Sequence, residues 1–96
     1  MVITFYKKLD NDNVRYYSLH DRQGDLFSPY VLTSIWGGEL DSGRAKVYTF
    51  SSSMDFDKKL RQIFQQRIKS GYKVLYSFSR KKQYKDMFEA LEKASS

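Results

Sequence analysis

Lys46-Val47-Tyr48-Thr49-Phe50-Ser51-Ser52-Ser53-Met54-Asp55-Phe56-Asp57-Lys58-Lys59-Leu60 is the stretch in which the chain changes period. Up to Phe50 the residues alternate, Lys46 and Tyr48 against Val47 and Thr49, which is the two-residue repeat of a strand. Past the serines, apolar residues return at Phe56, Leu60, Ile63, Phe64 and Ile68. That spacing puts one apolar stripe on a helix over about residues 54–70. The serines between the two patterns offer hydroxyl N-caps, and Ser52 with Asp55 has the spacing of a capping box. Gly71 is placed to end the helix in the left-handed conformation.

Working outward, the arrangement on the N-terminal side is a series of strands. Val2–Lys8 and Val14–His20 flank the turn-forming run Asp10-Asn11-Asp12-Asn13, so they form a hairpin. In the second strand Arg15, Tyr17 and Leu19 point one way and Val14, Tyr16 and Ser18 the other. A polar loop, 21–29, carries Gly24 and Pro29. Tyr30–Trp36 forms a third strand, with Tyr30, Leu32 and Trp36 on one face and Val31 and Ile35 on the other. Gly37–Gly43 reads as a tight turn into a fourth strand, Arg44–Phe50. On the C-terminal side Tyr72–Phe78 forms a fifth strand. A final helix reaches about Ala94, with Ser79 as its cap and Tyr84, Met87, Phe88 and Leu91 as its apolar stripe. The predicted fold is α+β: a mostly antiparallel sheet of about five strands with one helix packed on it, plus an additional C-terminal helix. The 96 residues make a single domain.

Charge is distributed unevenly. Residues 1–57 hold six Lys/Arg against eight Asp/Glu, whereas residues 58–85 hold ten Lys/Arg and no carboxylate. A stretch of 28 residues carrying +10 fits a polyanionic partner such as nucleic acid, and it also fits a solvated helix face. There is no cysteine, which excludes disulfides, thiolate metal sites and Cys nucleophiles, and suits a reducing cytoplasm. A single histidine, His20, makes a metal site a poor expectation. Asp21 and Asp25 lack a nucleophile or an orienting partner nearby, so no catalysis, cofactor or small-molecule substrate is expected. No apolar run approaches the ~20 residues of a membrane span.

Several segments taken in order resemble the WGR domain. They are Arg15-Tyr16-Tyr17-Ser18-Leu19, Asp25-Leu26-Phe27, Leu32, Trp36-Gly37-Gly38, Gly43, Lys46-Val47-Tyr48-Thr49-Phe50, the amphipathic helix and Lys69-Ser70-Gly71-Tyr72. The resemblance covers residues 14–75 and leaves the last helix outside it. That family occurs in poly(ADP-ribose) polymerases and in small bacterial proteins. Resemblance implies a non-catalytic module that senses DNA breaks and also contacts neighbouring domains. Gly38 stands where the family has Arg, Leu40 where it has its next glycine, and Arg44 where it has Gln. The missing Arg removes a planar guanidinium with five donors, whose charge Arg44 can supply without its geometry.

The candidate contacts follow from these readings. From the residues alone Trp36 reads as a core tryptophan before a contact; the resemblance reverses this order and implies that it stacks on a sugar at a DNA end. Gly37 and Gly38 allow positive φ and close backbone approach to a phosphate, or simply a turn. Arg44 and Lys46 are candidate phosphate contacts beside Trp36. Lys69, Tyr72 and Lys73 cluster where the helix gives way to the last strand, and Tyr72 is the nearest match to a family tyrosine that helps hold a terminal phosphate. Arg80 and Lys81 could extend a basic groove or begin a solvated helix. The expected function is sequence-independent nucleic-acid binding, DNA before RNA. The alternative is a protein-interaction module in which the last helix docks a partner.

Overall fold

The computed structural model describes residues 1–38 and 43–95. The elements run β1 (Val2–Lys8), β2 (Val14–Gln23), β3 (Tyr30–Gly38), β4 (Arg44–Phe50), α1 (Ser53–Lys69), β5 (Lys73–Phe78) and α2 (Lys82–Ser95). All five strands join one antiparallel sheet in the order β4-β3-β2-β1-β5. The α+β architecture is therefore the expected one. Helix α1 begins as the serines predict, with Ser52 Oγ accepting from the Asp55 N–H at 3.2 Å. It ends at Gly71, whose φ of 93° is the only positive value among the described glycines.

Two boundaries differ from the sequence expectation. Strand β2 continues through Asp21, Arg22 and Gln23, because each finds a backbone partner on β3. Gly37 and Gly38 extend β3, paired with Tyr16 and Arg15, and adopt no positive φ. The antiparallel ladder claims them, so these two glycines form no turn; residues 39–42 of the expected turn, Leu40 among them, lie outside the described residues.

Cross-strand register sorts the sheet into rows. On the helix-bearing side they read Lys7–Arg15–Gly38, then Val74–Phe5–Tyr17–Trp36–Arg44, then Ser77–Ile3–Leu19–Ser34–Lys46, then Asp21–Leu32–Tyr48. The middle rows meet Phe56, Leu60, Ile63 and Phe64 of α1 and Tyr84 and Phe88 of α2 in one core. Helix α2 thus lays its apolar stripe on the core, with Met87 and Leu91 partly buried against it.

Gly24 closes the loop before β3 under a tight constraint. A Cβ there would lie 1.9 Å from the Ser28 carbonyl oxygen. Asp25 Oδ1 accepts from the N–H groups of Phe27 and Ser28, at 3.0 and 2.7 Å, so the loop is fixed although Leu26 and Phe27 are exposed.

The Tyr84 hydroxyl donates to Asp57 Oδ1 at 2.8 Å and joins the two helices. Burial, then the hydrogen bond and charge of Asp57, push its phenol well above the usual tyrosine range. The unfolded chain releases this proton near pH ~10, while the folded chain retains it. Above that pH the unfolded state binds fewer protons, so stability falls as pH rises. Thermal unfolding at about pH 8 and about pH 11 should show a smaller alkaline loss in Tyr84→Phe than in the wild type. Equal losses would refute the assignment.

Candidate nucleic-acid interface

Helix α1 does not cover the whole helix-bearing side of the sheet. Its stripe of Leu60, Ile63 and Phe64 continues one turn further to Arg67, a cation where an apolar residue would continue the pattern. The Arg67 guanidinium lies 4.7 Å from the Tyr17 ring centroid and 5.7 Å from that of Tyr72, both distances suited to cation–π attraction. Its Nε is buried with no hydrogen-bond partner. Tyr17 in turn stacks on Trp36, with centroids 5.9 Å apart and planes 16° from parallel, and meets Tyr72 edge-on at 6.4 Å.

Trp36 is therefore half-buried, packed against the core on its Tyr17 side. In the register Arg44 is its direct neighbour across the sheet, and both face the helix-bearing side. Gly38, two residues along β3, has no side chain to cover the ring on its outer flank. Lys46 lies one row inward and sits 5.0 Å from the Tyr48 ring, opposed by Lys59 at 4.9 Å. Arg15 occupies the outermost row. Lys7, in the same row, donates to the Ser70 carbonyl at 2.7 Å and so serves the C-terminus of α1. None of the strand residues in the two rows at this end, Lys7–Arg15–Gly38 and Val74–Phe5–Tyr17–Trp36–Arg44, is acidic. Asp12, in the adjoining turn, is paired with Lys8 at 3.5 Å.

The ten candidate residues do not form one surface. Trp36, Gly38, Arg44, Lys46 and Tyr72 gather at this end of the helix-bearing side, with exposed Lys69 at the adjacent end of α1. Gly37 alternates to the opposite side of the sheet. Lys73 pairs with Tyr6 and also faces that opposite side. Arg80 and Lys81 belong to the far end of the sheet, where Phe78 and Ser79 approach Met1 and Asp21. The ten cations of residues 58–85 are spread over both helices, β5 and a connection. Charge density in the sequence did not translate into one continuous patch.

Arg15, Tyr17 and Arg67 were not singled out as site residues. The first two were legible, since strand alternation places them on the face of Trp36. Arg67 carries a weaker signal: it stands three residues after Phe64 and four after Ile63, the spacing that keeps it on the core stripe.

No group of three or more metal-ligating side chains occurs among the described residues, and no helix there is long and apolar enough to cross a membrane. The chain matches no family model, and no curated protein is found similar to it.

Proposed function

We propose that the protein binds nucleic acid without sequence specificity, through the end of the helix-bearing side that holds Trp36 and Arg44. The single observation that carries this reading is the contiguous set Arg44–Trp36–Tyr17–Arg67–Tyr72, a cation beside a stacked aromatic pair capped by a second cation. Aromatic faces accept a sugar or base without reading its identity, and the cations meet phosphate. The resemblance to WGR domains favours DNA, and an end or break over continuous duplex, because Trp36 is half-buried and can touch only what is brought to the edge of the sheet.

Four of the cations at this end, Arg15, Arg44, Lys46 and Arg67, lie on the sheet rows or the ring of Tyr17 beside Trp36 and set the expected salt dependence. With ~0.9 counterions released per phosphate contact, log Kd should change with log salt by about 3–4. A Kd of about 10⁻⁴ to 10⁻⁶ M at physiological salt is expected for charge-led binding. Fluorescence titrations with blunt, nicked and continuous duplexes over a salt series test this. Absent binding, or salt-insensitive binding equal for all three duplexes, would remove the proposal.

A protein-interaction role is favoured by one other observation. Leu26 and Phe27 are 88% and 83% exposed on the loop that Asp25 fixes, and a rigid apolar tip is what a protein pocket receives.

A further inference from the structure

The side of the sheet turned away from the helices carries large apolar residues that no other described residue buries, while the loop at Gly24 covers Val31 at one end. Its rows read Lys73–Tyr6–Tyr16–Gly37, then Tyr76–Thr4–Ser18–Ile35–Ala45, then Phe78–Val2–His20–Thr33–Val47, with Arg22–Val31–Thr49 at one end and Lys8–Val14 at the other. Tyr16, Ile35, Val47, Tyr76 and Phe78 are between 38% and 54% exposed here. These are the exposed large apolar residues of the sheet, apart from Leu75, the extra residue at the register shift opposite Thr4 and Phe5.

Two features identify the occupant. The aromatic rings lie on three adjacent strands, β5, β1 and β2: Tyr6 and Tyr16 in one row, Phe78 two rows away, and Tyr76 between them at the end of a row in which the Thr4 and Ser18 hydroxyls, 3.0 Å apart, leave the sheet low. The ionisable strand residues on this side are Lys8, His20, Arg22 and Lys73, and none is a carboxylate. Rings without acids but with rim cations complement a ligand that is flat, apolar on its faces and negatively charged along its backbone. A duplex hides its base faces in the stack and would leave the rings unused. An unpaired strand exposes them.

We propose that this open face binds single-stranded nucleic acid, with unpaired bases stacking on Tyr16, Tyr76 and Phe78 and the phosphates meeting Lys73 and Arg22. The surface is separate from the Trp36 end, and the proposal stands whether or not that end binds duplex.

Labelled oligothymidine titrated by fluorescence anisotropy at about 0.15 M salt, where charges are screened beyond about 8 Å, is the test. Stacking is worth enough per base that removing two rings in Tyr76→Ala/Phe78→Ala should weaken binding at least about tenfold. Tyr76→Leu/Phe78→Leu, which keeps apolar volume without a ring, guards against misfolding and should weaken binding in the same direction. Arg44→Glu/Lys46→Glu should leave oligothymidine affinity within about twofold, because those residues face the other side. Trp36 is the only tryptophan, and its emission should not change on binding.

Three outcomes would overturn the proposal. One is no binding of oligothymidine. Another is wild-type affinity in the leucine variant, or loss in the Arg44/Lys46 variant, which would move the strand to the helix-bearing side. The third is a dimer in light scattering that the leucine variant dissociates, which would make the face a contact between copies of the chain. Loss of duplex binding alone would count against the Trp36 end and not against this face.

Discussion

Replacing Phe64 with alanine is expected to remove about 3–5 kcal/mol of stability, out of a total of about 5–15 kcal/mol for a domain. Phe64 is fully buried, and its ring joins three elements. It meets Phe5 of β1 edge-on at 5.1 Å and stacks on Phe88 of α2 at 5.8 Å, with planes 13° from parallel. Alanine would leave a cavity at the junction of sheet and both helices, where no single element can collapse to fill it. A chain of this size has few other core residues to compensate. Urea unfolding should show a lower midpoint with an unchanged slope. A loss below about 1 kcal/mol would mean that α2 does not close on the core as described.

That core was largely legible in the sequence, because periodicity reports burial directly. Phe56, Leu60, Ile63 and Phe64 stood at helical spacing, and Tyr17, Leu19 and Leu32 at strand alternation. All are buried where the pattern put them. Gly71 was legible for a related reason, since the end of a helix demands a conformation that favours glycine. Gly37 and Gly38 were misread because glycine marks what a backbone can do, not what the neighbouring strand makes it do. The ladder to Tyr16 and Arg15 decided the matter, and that is a contact between distant parts of the chain.

The site was legible only in part, for the same physical reason. Strand alternation carries Arg44, Lys46 and Trp36 to one face, and that much follows locally. Which end of the sheet Arg80 and Lys81 reach depends on where β5 pairs, and its antiparallel pairing with β1 sends them away from Trp36. The guanidinium over Tyr17 depends on the angle and reach of α1, which no local pattern encodes. The run of cations in the sequence records a local excess of positive charge without marking which surfaces carry it.

Arg44→Glu with Lys46→Glu is expected to weaken duplex binding about 100-fold at low salt while changing stability by no more than about 0.5 kcal/mol. Both side chains stand exposed on β4, an edge strand, and neither contributes to the core. Two attractions to phosphate become two repulsions beside Trp36. The salt slope should fall by about 2, the share of two lost contacts out of four. Lys46 also gives up its approach to the Tyr48 ring, but Lys59 holds the same ring at 4.9 Å and limits that loss. Because the fold is preserved, the variant separates binding from stability, which Phe64→Ala cannot do. Duplex affinity and salt slope equal to the wild type would show that phosphate is met elsewhere, and the Arg44–Trp36–Tyr17–Arg67 set would then be a device of packing alone.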